Sequence, residues 1–268
     1  MLNCISNMDQ LHDLISAFKA KHTKYHTNLL IPHDRLEDLV DNDRIRYFES
    51  NNCLSFIIKQ YHSSMLYFYV NDLNNIETSF DEKPLFIELF VKPEKQEGWS
   101  RPFENKGFIK YSTYICMSAT PQSILVPESI EDERFKIIPD TDMKYFKEIL
   151  FANFDLVTDR LPEEWEYDDF FSRMYMFKAV DTESNKIPGF ITYSIDNITS
   201  IGEYMHIDND YRGLGLAKSL YSCYLKNTVD HVKRYINWVD QNNSVAISMY
   251  LSMGYKHDAL RRELYIRN

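Results

Sequence analysis

The chain has 268 residues, 44% of them hydrophobic and 15% aromatic, which fits one large globular domain or two small ones and excludes a disordered tail. Its formal net charge of −10, with no basic run, argues against nucleic acid as a partner and leaves a cationic substrate open. Four cysteines without CxxC spacing and eight histidines without HxH or HExxH spacing give no sign of a metal or redox centre.

The N-terminus has no apolar signal core, and no stretch is long enough to span a bilayer, so a cytoplasmic protein without a membrane partner is expected. Apolar spacing then predicts helices over 11–21 and 35–43. Four β-like runs follow, "RIRYFES", "CLSFIIKQYH", "MLYFYVND" and "PLFIELFVK", and "KGFIKYSTYICM" alternates to Met117. The proline- and acid-rich stretch around 121–134 reads as a linker. Beyond it, a helix is expected over 142–154, with Met143, Phe146, Ile149, Leu150 and Phe154 on one side. Another is expected to start at Pro162. Three strands, "MYMFKAVD", "PGFITYSID" and "SIGEYMHID", lead to a helix over 214–227. A buried-type strand "RYINWVD", a helix from Ser244 to Met253 stopped by Gly254, and a last strand close the chain. "NKGFIKYSTYICM" resembles "SMGYKHDALRRELYI", and "LYFYVND" resembles "EYMHIDND", so the chain reads as two tandem copies of one α+β plan.

The most informative stretch joins strand to helix at "DNDYRGLGLAKSLY". Gly213 and Gly215 free the backbone to turn sharply, Ala217 keeps the first helical turn narrow, and Arg212 adds positive charge to the helix N-terminus. That is a cradle for a phosphate or pyrophosphate. A P-loop does not match, because Lys218 follows Ala217 at the wrong spacing. A dinucleotide fold does not match either, because Lys218 stands where its third glycine belongs and too few strands remain downstream. Coenzyme A is the third ligand class.

Arg212-x-x-Gly215-x-Ala217 resembles the R/Q-x-x-G-x-G/A signature of the GNAT acyltransferase superfamily. Asn243–Tyr255 is similar to that family's N-x-x-A-x-x-x-Y-x-x-x-G-F/Y pattern, with Asn243, Ala246, Tyr250, Gly254 and Tyr255 in register. The resemblance implies an α+β fold with a mixed sheet, the GNAT acyl-coenzyme A N-acyltransferase fold, in two tandem copies. Residues 135–268 would be the catalytic domain. Residues 1–120 would be a degenerate GNAT-like or accessory domain, since no glycine loop appears there. The implied reaction moves an acetyl group from acetyl-coenzyme A to a primary amine on a small molecule or peptide. A non-catalytic coenzyme-binding sensor or a protein-interaction module remains the alternative. A tandem copy in place of a dimer mate points to a monomer, with a dimer left open.

Carried over residue by residue, Arg212, Gly213, Leu214, Gly215, Leu216, Ala217 and Lys218 would bind the pyrophosphate. Met205, His206 and Ile207 would offer backbone groups to the pantetheine arm, and Asn243 would contact the arm or cap its helix. Tyr250 would protonate the departing thiolate. Glu203 is the candidate base, since strand alternation sets it on one face with Ile201 and Met205 and sends Tyr204 and His206 to the other. The acids of "FDLVTDRLPEEWEYDDF" read as a solvated helix face or as the rim of an acceptor pocket.

Overall fold

A computed structural model describes residues 2–128, 133–140 and 143–268. The expected linker residues 129–132, and Asp142 with the side chain of Met143 at the expected helix start, lie outside the described residues. In chain order the elements are β1 (Asn3–Cys4), α1 (Met8–Lys21), β2 (His26–Thr27), α2 (His33–Asp41), β3 (Ile45–Glu49), β4 (Cys53–Gln60), β5 (Ser63–Val70), β6 (Leu85–Val91), α3 (Gln96–Glu104) and β7 (Ile109–Ala119). There follow β8 (Phe135–Asp140), α4 (Met143–Asn153), α5 (Tyr167–Ser172), β9 (Tyr175–Asp181), β10 (Gly189–Asp196), β11 (Thr199–Ile207), α6 (Leu216–Thr228), β12 (Arg234–Asp240), α7 (Ser244–Ser252) and β13 (Lys256–Arg267). Among the described residues no helix is long and apolar enough to cross a membrane.

The chain divides into two compact units that do not follow its halves. The first holds residues 1–113, 154–163 and 260–268, the second 114–153 and 164–259. The reason is an exchange of strands. In the first unit the sheet order is β1-β3-β4-β5-β6-β13, and in the second β8-β9-β10-β11-β12-β7. Each sheet is antiparallel except at one place, β5 beside β6 in the first unit and β11 beside β12 in the second. The two units therefore repeat one plan, and each takes its sixth strand from the other half of the sequence.

The same hinge launches both exchanged strands. Gly107 ends α3 at φ +83° and Gly254 ends α7 at φ +87°. Both are left-handed positions that glycine occupies without a Cβ penalty. The next amide reaches back to the helix in each case, Phe108 N–H to Phe103 O at 3.1 Å and Tyr255 N–H to Tyr250 O at 3.1 Å. A Cβ on Gly254 would collide with the carbonyl of Ser123.

Helices α1 and α2 start two or three residues earlier than expected, and two further expected helices start later. The segment after Pro162 is a short 3-10 turn, Glu164–Glu166, followed by α5 from Tyr167. Helix α6 begins at Leu216 rather than 214, because its N-cap Gly215 sits at φ +80°, outside helical space. Two of the acids near Pro162 are partnered. Asp155 accepts from the amides of Val157 and Thr158 and from the Tyr111 hydroxyl, and Glu163 pairs with Arg44 at 2.8 Å.

In each unit the parallel pair is brief. β5 and β6 match only at Ser64–Leu85 and Met65–Phe86, and the sheet then forks. The first unit fills its own fork. β2 pairs antiparallel with the freed edge of β5, His26 against Val70 and Thr27 against Tyr69. Asn28, 4% exposed, then bridges both prongs. Its Nδ2 donates to Leu66 O at 3.0 Å and Glu88 O at 3.1 Å, and its Oδ1 accepts from Phe68 N–H at 2.9 Å. Removing it leaves three buried backbone groups without partners. Asn28→Ala should therefore cost about 3 kcal/mol or more in chemical denaturation; a loss below about 1 kcal/mol would show that the fork closes without it.

Candidate functional site

In the second unit the fork lies between β11 and β12. These strands pair in parallel over four positions, Thr199–Arg234 to Gly202–Asn237, and no further. The distal part of β11, Glu203 to Ile207, leads directly into the glycine loop. There Gly213 and Gly215 both stand at φ +80°. An L side chain at either position would be strained by roughly 1–2 kcal/mol. No side chain caps α6, and its first backbone donor is Ser219 N–H, to Gly215 O at 3.1 Å. The amides of the loop and first turn, through Leu216, Ala217 and Lys218, thus face the helix N-terminus with its partial positive charge. Leu216 is buried at the base of this turn, and Leu214 is exposed.

The loop is held from both sides. Arg212 Nε donates to Ile207 O at 3.0 Å, which folds the arginine back over the end of β11. The Tyr211 hydroxyl donates to Asp181 Oδ2 at 3.1 Å, and the same oxygen accepts from Arg134 Nη2 at 2.8 Å. The Arg134 guanidinium holds the buried Asp181 carboxyl well below the usual carboxylate range. Arg134 also lies over the rings of Phe135 and Tyr211.

Strand β11 departs from simple alternation. Its register with β10 shifts between Ile191 and Tyr193: Met205 faces Ile191, but Gly202 faces Tyr193. Two residues, Glu203 and Tyr204, stand against the single Thr192, which is a β-bulge. The expected shared face of Ile201, Glu203 and Met205 is thereby broken. Met205 and Ile207 pack against the cluster of Ile191, Tyr193, Leu216 and Tyr221. Glu203, exposed, instead accepts from Ser194 Oγ at 2.6 Å, on the other face of β10 from Tyr193. Tyr204 lies on that face too, its ring 6.2 Å from those of Phe146 and Phe170. His206 is stacked on Phe190 and bonds Asp208 Oδ1 through Nε2 at 3.0 Å.

On α7, Asn243 is the N-cap, its Oδ1 accepting from Ala246 N–H at 3.1 Å. Tyr250 is buried one turn from the helix end, its ring 5.7 Å from Tyr221 and 5.6 Å from Tyr255. Burial pushes its phenol up, partly offset by a hydrogen bond from Tyr221. The structure thus brings Arg212–Lys218, Met205–Ile207 and Glu203 onto one continuous strand–loop–helix segment. Tyr250 is tied to that segment through Tyr221 on α6. Two residues were missed by sequence reasoning, Tyr221 and Asn237. The signal for Asn237 was an asparagine inside a strand of otherwise buried type.

Residues 143–255 match the model of the acetyltransferase (GNAT) family. The chain is similar to a tandem GNAT protein from the clavulanic acid biosynthesis pathway, with a TM-score of 0.64 at 10% identity, over 100% of this chain and 98% of that one. It is also similar to a GCN5-related N-acetyltransferase from Sphaerobacter thermophilus, with a TM-score of 0.58 at 15% identity, over 96% and 91% of the two chains. An acetyltransferase from the GNAT family of Colwellia psychrerythraea gives 0.56 at 13% identity, over 99% and 98%. At these identities the solved structures speak for the fold. No curated protein matches the chain.

Proposed function

We propose that this chain, whose residues 143–255 match the acetyltransferase (GNAT) family model and whose fold is similar to that of a tandem GNAT protein, is an acyltransferase that moves an acetyl group from acetyl-coenzyme A to a primary amine. The observation that carries the reading is the fork of β11 and β12 opening onto an uncapped helix N-terminus, with two glycines at φ +80° before it. These residues fit the coenzyme: a cluster of outward amides for its pyrophosphate and a freed strand edge for its arm. The coenzyme supplies an acyl thioester, open to attack by a neutral amine.

The chain's own groups do the rest. Arg212 and the amides of Gly213, Leu214, Gly215, Leu216, Ala217 and Lys218 hold the phosphates. Met205, His206 and Ile207 pair with β10 on one edge and lie past the last paired rung of β11 and β12 on the other, so that second edge can pair with the arm as a neighbouring strand would, except at Ile207 O, which accepts from Arg212 Nε. Asn243 commits Oδ1 to its cap and keeps Nδ2 as a donor to the arm. Tyr250, with its phenol pushed above the ordinary value near 10, stays protonated at neutral pH. A thiol has a pKa of about 8.5, so full proton transfer from Tyr250 to the departing sulfur runs uphill. Its part is to donate a hydrogen bond there, with Tyr221 behind it. Glu203 accepts the amine's proton, oriented by Ser194. The acceptor is a small-molecule or peptide amine, and the chain acts as a monomer.

Arg212→Glu should weaken acetyl-coenzyme A binding at least tenfold in calorimetric titration, about 1.4 kcal/mol; unchanged affinity removes Arg212 from the phosphate site. In a thiol-release assay with a panel of primary amines, Tyr250→Phe and Glu203→Gln should each lower turnover by roughly 10- to 100-fold while coenzyme affinity stays within twofold. Full turnover in either variant takes that residue out of the mechanism.

A further inference from the structure

The closed end of the second unit's fork holds a polar side chain that the reading above does not use. Asn237 stands at the last paired rung, opposite Gly202, and is 1% exposed. It reaches across beneath β11: a Cβ on Gly202 would collide with Asn237 Oδ1 and lie 3.2 Å from the Tyr221 hydroxyl. Gly202 is what makes room for it. Neither Asn237 Nδ2 nor Oδ1 makes a hydrogen bond of good geometry among the described residues; its carboxamide lies beside the buried Tyr255 hydroxyl and draws that phenol down against the larger upward push of burial. Buried carboxamides are seldom left so, because their desolvation is then uncompensated.

The first unit supplies a comparison within the same chain. Glu88 is the fourth residue of β6, as Asn237 is of β12. Glu88 is fully engaged: its carboxylate pairs with Arg160 at 2.5 Å and lies 3.7 Å from Arg262, and its carbonyl accepts from Asn28. There the chain fills its own fork. At the matching position of the second unit, the polar atoms are held ready for something else.

We propose that Asn237 receives the carbonyl oxygen of the acyl group through Nδ2, so that it is the residue of this site that reads the acyl end of the coenzyme. This rests on the coenzyme reading above. The pyrophosphate end is fixed at Arg212–Lys218, so the arm runs back along β11 toward Gly202. That path covers five residues from Ile207, roughly 16 Å at the rise of an extended strand. The group farthest from the pyrophosphate is the thioester, and it reaches the closed end, where Asn237 and the Tyr221–Tyr250 pair meet. An amide donor there both orients the carbonyl and favours the charge that develops on its oxygen during attack.

The test compares acetyl-coenzyme A with free coenzyme A, which lacks the carbonyl, by calorimetric titration of the full chain. Asn237→Leu keeps the side chain's size and removes its donor. It should weaken acetyl-coenzyme A binding at least tenfold while leaving coenzyme A within twofold. Equal loss for both ligands, or no loss for either, overturns the proposal. Should the leucine variant fail to fold, Asn237→Ser is judged by the same difference. Wild-type protein that binds neither ligand overturns the coenzyme reading itself and this inference with it.

Discussion

A sheet that forks exposes backbone donors and acceptors along both prongs, and those groups need partners if they are to stay out of water. Everything distinctive about this chain follows from how its two forks meet that demand. In the first unit the answer is internal: β2 and Asn28 bond to β5 and β6. In the second unit the prongs separate after Gly202 and Asn237, and the strand runs on to a helix that has no side-chain cap at its N-terminus. One fold therefore yields one self-satisfied fork and one that suits a ligand shaped like an extended strand with a phosphate head.

The aromatic composition serves the second fork. Tyr221, Tyr224, Tyr235, Tyr250 and Tyr255 pack edge and tilt against one another behind it, with Tyr193 on the neighbouring strand. Burial raises these phenols, so they stay protonated and act as donors rather than charges. A carboxylate in that cluster would need a counter-ion; phenols and one carboxamide do not. Charge is kept instead at the rim, in Arg212, Glu203 and the Arg134–Asp181 pair that anchors Tyr211.

Much of this was legible in the residues. Strand and helix positions follow from short-range periodicity, and the repeat of helix, glycine and long strand at Gly107 and Gly254 marked the tandem plan. The glycine loop's sharp turn was legible because the left-handed positions at Gly213 and Gly215 are local events. What was not legible is long-range. Periodicity says that β7 and β13 are strands but not that each joins the other unit. The bulge at Glu203–Tyr204 depends on pairing with Thr192 and moves Glu203 off the face of Met205. Helix α3 was hidden by Gly98 and Pro102, both poor helix residues. Nothing near Asn28 in the stretch "KHTKYHTNLLIP" distinguishes a residue that closes a fork from an ordinary loop asparagine.

The central claim is that the two forks differ, one closed by the chain and one open to coenzyme. Calorimetric titration of the intact protein with acetyl-coenzyme A measures this directly through its stoichiometry. The account predicts saturation at one equivalent per chain. Two equivalents, or none, would contradict it.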